Sequence, residues 1–170
     1  MKSVIPIESI HICSIDCAKT FKMKPNKKYD IKTGQCDKYG ISESIAIKIA
    51  TKYNINKVIN LNHIVIIDND IEVEISYPLK TAVRCKGSSS SGWTRIKLIN
   101  FIIKTYKKIY KDEYKSSKIK IIPIKKRIGL ENRNTTDGIY GIWGHDITDL
   151  FIEGIEYDKN NKVVTLSIGS

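Results

Sequence analysis

Residues Thr94 to Tyr114 read TRIKLINFIIKTYKKIYKDEY. Ile99, Ile102, Ile103, Tyr106, Ile109, Tyr110 and Tyr114 recur there at three- and four-residue steps, which lays an apolar stripe along one side of an α-helix. Lys97, Lys104, Lys108, Lys111 and Lys115 fall on a different side. One helix therefore offers a core face and a lysine face. An apolar stripe must be buried against a second layer, and the flanking sequence supplies strands for it.

Upstream, IEVEISY (71–77) alternates, with Ile71, Val73, Ile75 and Tyr77 inward and Glu72 and Glu74 outward. The preceding NKVINLNHIVIID (56–68) alternates too, placing Ile59, Leu61, His63, Val65 and Ile67 on one face. Asp68-Asn69-Asp70 turns between them, so the two are expected to form a hairpin. Residues 3–15 read as extended, and residues 19–40 as a loop region or weak hairpin. In ISESIAIKIATKYN (41–54), Ser42 as cap and Ile45, Ile49 and Tyr53 at helical spacing predict a second helix. KGSSSSG (86–92) reads as a loop, and KIKIIPIKK (118–126) as an edge strand broken near Pro123. The segment 146–170 predicts a terminal hairpin turning at Asp158 to Asn161, with a bulge at Gly154. The expected fold is a single α+β domain over residues 1–170, a largely antiparallel sheet with two main helices.

With 41% hydrophobic and 28% charged residues, the 170-residue chain has the composition of one globular domain and is too apolar for a disordered tail. No apolar run approaches the roughly 18 residues that a membrane span needs, and the first residues lack a signal-peptide pattern. A soluble, intracellular protein without a membrane partner is expected. The formal charge is +11, carried by 25 Lys and only 4 Arg. Lys, Ile and Asn share A/T-rich codons, so part of that excess reflects composition. Its distribution carries more information: residues 95–128 hold 12 basic and 2 acidic groups, whereas residues 129–170 hold 3 and 7. A concentrated basic segment suits a phosphate-bearing or otherwise acidic partner.

Several places invite chemistry. His11, Cys13, Cys17 and Cys36 have the donor types of a zinc site but not the usual two-residue gap between paired cysteines, and buried thiols on a strand are the simpler reading. No cofactor is expected. The Ser-rich loop ahead of the long helix reads either as an anion nest, with Arg95 in the first turn and Arg84 just upstream to add charge-assisted bonds, or as an exposed linker followed by an ordinary cap with Trp93 as a staple. His63 reads as a half-buried structural histidine. The densest stretch is ENRNTTDGIYGIWGHDITD (131–149). There His145 has the chemistry of a general base, Asp149 is the better-placed carboxylate to orient it, and Arg133 suits a phosphate. The alternative is a rigid corner that starts the last hairpin.

Two of these stretches resemble a set of uncharacterised proteins of large DNA viruses of eukaryotes. One is Gly92-Trp93-Thr94-Arg95 with Tyr106, Ile109 and Tyr110. The other is Asn132-Arg133 leading into Tyr140 to Asp146 and then Asp149-Leu150. The resemblance covers about the last half of the chain. It implies a shared domain, a viral origin and a location in the host cytoplasm or virion, and it carries no activity.

The expected function is an interaction module that meets nucleic acid or an acidic protein through Arg95, Lys97, Lys104, Lys108, Lys111, Lys115 and Trp93. A phosphoester-processing enzyme using His145, Asp149 and Arg133 with Arg95, and a virion component or homodimer joined at a sheet edge, are the alternatives.

Overall fold

In the computed structural model, which describes residues 8–10, 46–52, 55–58, 60–128 and 135–170, the long helix α1 spans Arg95–Ser116. Thr94 stops short of helical geometry, and its hydroxyl accepts the Lys97 N–H at 3.3 Å, satisfying one of the donors that a helix start leaves open. No glycine or proline interrupts the next 22 residues, and at 1.5 Å per residue the helix extends about 33 Å. Leu98, Ile99, Ile102, Ile103, Tyr106 and Ile109 are buried along one side. Each such side chain contributes roughly 1.5–3 kcal/mol of burial free energy.

The strands are β1 (Glu8–Ile10), β2 (Ile47–Lys48), β3 (Ile64–Ile66), β4 (Asp70–Ile75), β5 (Val83–Ser88), β6 (Trp93–Thr94), β7 (Phe151–Asp158) and β8 (Val163–Gly169). The main sheet runs β1-β7-β8-β4-β5, and β2 also pairs with β7. Every pairing is antiparallel except β4 with β8, where Glu72 faces Val163 and Val73 faces Val164. A separate two-stranded ribbon joins β3 to β6. Ile71, Val73 and Ile75 of β4 and Ile152, Ile155 and Tyr157 of β7 share one hydrophobic core with the buried side of α1. This is an α+β domain with a mixed, mostly antiparallel sheet.

The terminal hairpin forms where alternation places it, and the register shifts between Ile152 and Gly154, as the expected bulge requires. Elsewhere the outcome differs. Among the described residues α1 is the one α-helix: of the second expected over 41–54, Ser42, Ile45 and Tyr53 lie outside the described residues, and Ile47 and Ile49 are buried on either side of Lys48, at the period-two spacing of a strand on β7. Pairing of Ile47 and Lys48 with Ile152 and Phe151 of β7 favours the extended form there. The expected hairpin partner of β4 is not β3, since β4 pairs with β5 and β8. The expected shared face of 56–68 holds only in part: Leu61 and Val65 pack half-buried against the core, but Ile66 is buried, Ile67 is 75% exposed, and His63 lies exposed in a turn. KGSSSSG gives its first three residues to β5. Residues 118–126 form no strand; their one regular piece is a short 3-10 turn, Ile124–Lys126.

Candidate functional site

The three glycines in GIYGIWG (138–144) have two causes, a close approach at Gly138 and a left-handed backbone at Gly141 and Gly144. A Cβ on Gly138 would lie 2.6 Å from both Glu113 Oε2 and Ser116 Oγ, so only glycine permits this approach to α1. Gly141 and Gly144 have φ of +63° and +68°, in the left-handed region that glycine enters without penalty. The segment folds around the buried Glu113 carboxylate. Oε1 accepts the Thr136 hydroxyl at 2.6 Å and the Gly138 N–H at 2.7 Å. Oε2 accepts the N–H groups of Tyr140 at 2.8 Å and Gly141 at 3.2 Å. Burial pushes the Glu113 carboxyl upward, and these four hydrogen bonds together outweigh it and hold the group below its ordinary value. One turn on, Asp137 Oδ1 accepts the N–H groups of Lys118 and Ile119, each at 2.9 Å, which closes the C-terminal end of α1.

His145 follows this corner and is 6% exposed. Its Nε2 shares a 2.7 Å hydrogen bond with the Tyr77 hydroxyl, which also lies 3.0 Å from Ser170 Oγ. The rings of Tyr77 and Trp143 stand 5.3 and 5.9 Å from the imidazole. Tyr110 donates its hydroxyl to the His145 carbonyl at 2.9 Å, and burial pushes that hydroxyl well above the usual phenol value. The neighbouring carboxylates are engaged elsewhere. Asp149 Oδ2 accepts the Asp146 N–H at 3.0 Å, while Asp146 takes both terminal nitrogens of Arg127 in a bidentate pair, Nη2 to Oδ1 at 2.9 Å. Arg133 lies outside the described residues. His145 is thus brought to Tyr77, a partner 68 positions away that no local pattern announces.

The basic residues divide into two groups. At the start of α1 they are tied down: Lys97 Nζ donates to Ser91 Oγ at 2.8 Å, and Arg95 Nη1 to the Asn60 carbonyl at 3.3 Å. Trp93 is a core residue and not part of a surface; it is 4% exposed, rests on Phe101 at 5.2 Å and donates its indole N–H to the Asn69 carbonyl. Further along, Lys104, Lys108, Lys111 and Lys115 all stand exposed, joined by Lys107, which the stripe pattern omits. Tyr114, expected in the core, is 52% exposed. It lines an open groove of about 540 Å³ between the end of α1, the 121–124 segment and residues 146–148.

The zinc candidates His11, Cys13, Cys17 and Cys36 lie outside the described residues, and among the described residues no cluster of His, Cys, Asp and Glu has the makings of a metal site. Cys85 is half-buried, and burial pushes its thiol up. No described helix is long and apolar enough to cross a membrane. No protein-family profile, curated protein or solved structure matches the chain.

Proposed function

We propose that this chain is a binding module that holds the phosphate backbone of a nucleic acid along α1. The observation that carries the reading is the row of exposed lysines, Lys104, Lys107, Lys108, Lys111 and Lys115, on a helix whose opposite side is locked into the core. Ammonium groups gathered along one face of a rigid helix can displace several of the counterions condensed on a nucleic acid at once, and that release drives association. Lysine serves here as a point charge, which suits recognition of a backbone over recognition of a particular base.

The charge reversal K104E/K108E/K111E tests the reading. These side chains are exposed, so the fold is expected to survive. Binding to a nucleic acid, followed by fluorescence anisotropy at two salt concentrations, is expected to disappear. Unchanged affinity in this variant would sink the proposal. Among the described residues β5 is an edge strand of the main sheet and carries exposed Arg84 and Lys86, charges of the kind that discourage edge-to-edge pairing, so a homodimer built through that edge receives no support.

A further inference from the structure

The groove at the end of α1 differs chemically from the lysine row that leads to it. Tyr114, Ile121, Ile124 and Ile147 make its walls, while Lys111 and Lys115 belong both to its rim and to the row. Its volume of about 540 Å³ falls within the roughly 300–1,000 Å³ of ordinary ligand clefts. Tyr114 and Ile124 leave 52% and 62% of their surface open within this one groove. The Asp146 carboxylate also reaches the groove, but the bidentate Arg127 compensates its charge. Lys120 Nζ lies over the Tyr114 ring, 5.7 Å from its centre and anchored by a 2.7 Å bond to the Ser117 carbonyl, but does not itself line the groove. A half-exposed aromatic ring, an aliphatic wall and the rim lysines Lys111 and Lys115 make a site for a flat, apolar-faced group attached to an anion.

A nucleotide is such a group, provided its base is free to leave the stack. In a duplex the bases are paired inward and only the backbone reaches the lysines. In a single strand the base stacks on an aromatic ring while the phosphates lie along the basic row. We infer that the groove takes an unpaired base, which makes single-stranded nucleic acid the preferred partner. The inference rests on the phosphate-binding reading of α1 and adds the strandedness of the ligand.

The test compares a labelled oligothymidylate with a duplex of equal length, for the wild-type chain and for Y114A, Y114F and K104E/K108E/K111E. The expected result is tighter binding of the single strand, a loss of about tenfold in Y114A with duplex binding unchanged, and near wild-type behaviour in Y114F, which keeps the ring. Equal affinity for both forms, abolished by the lysine reversal, would overturn the inference and leave the lysine row standing. A single-strand preference that survives in Y114A would also overturn it. Absence of binding to either form by the wild-type chain would overturn both readings.

Discussion

Glu113 Oε2 accepts the backbone N–H of Tyr140 at 2.8 Å, so a helix side chain holds a loop 27 residues further along the chain. The same carboxylate holds Thr136, Gly138 and Gly141. A carboxylate has only acceptor sites, and four donors converge on it, which is why the charge is tolerated inside the protein.

E113Q is nearly isosteric and nevertheless reverses part of that match, because an amide NH₂ would face backbone N–H groups. A loss of about 2–4 kcal/mol at pH 7 is expected from urea denaturation, the cost of stranding buried donors. Acidity supplies a second readout. The folded-state pKa of Glu113 lies below its ordinary value of 4.5, so its contribution is complete above that value and is lost as pH falls through the folded one. The stability gap between wild type and E113Q is therefore expected to narrow on acidification below about 4.5. A gap that stays constant to pH 3 would mean that the charge on Glu113 is not what stabilises the corner.

The three glycines of the corner separate two physical causes. G144A meets open space and suffers only from its left-handed backbone, about 1–2 kcal/mol. G138A drives a methyl group into the Glu113 carboxylate and Ser116, and is expected to cost distinctly more because it breaks the clamp as well. Thermal midpoints of the two variants, measured side by side, check the order; a reversal would contradict the role given to Glu113.

Much of the architecture was legible because periodicity is local. The stripe from Ile99 to Ile109, the alternation Ile71, Val73, Ile75 and the final hairpin each declare themselves within a few residues. Pairing partners are not local, so nothing in 56–68 reveals that β3 joins β6 while β4 is flanked by β5 and β8. In the candidate site the exposed lysines were readable from helical spacing. Glu113 was not, because a glutamate among lysines reads as a solvent-facing partner, and only the folded loop shows four donors around it. Arg127 was missed for the same reason: its partner Asp146 lies 19 residues away.

Tyr77 and His145 provide a prediction about chemistry. Y77F deletes the hydroxyl that meets Nε2 and is expected to cost about 1 kcal/mol of stability, the ordinary worth of a hydrogen bond. Since neither side chain lines the groove, nucleic-acid affinity is expected to be unchanged. Loss of affinity in Y77F at full stability would reassign this pair from structure to function.

Arg127 is the strap of the groove. Its two terminal nitrogens bind Asp146, and its Nε donates to the Ile122 carbonyl at 2.7 Å, so one side chain ties the 121–128 segment both to itself and to the corner after His145. The guanidinium and carboxylate are 11% and 16% exposed, largely but not wholly removed from solvent. R127A is therefore expected to cost about 1–3 kcal/mol, less than the rupture of a fully buried pair. R127K keeps the charge without the planar fork and is expected to fall between R127A and wild type. The local effect should exceed the global one: trypsin is expected to cut after Lys125 and Lys126 faster in R127A, well below the denaturation temperature. Release of the segment also removes the Ile121 and Ile124 wall, so single-strand affinity should drop while the lysine row continues to hold a duplex. Unaltered cleavage and unaltered single-strand affinity in R127A would show that the segment is held by other contacts and that Arg127 does not build the groove.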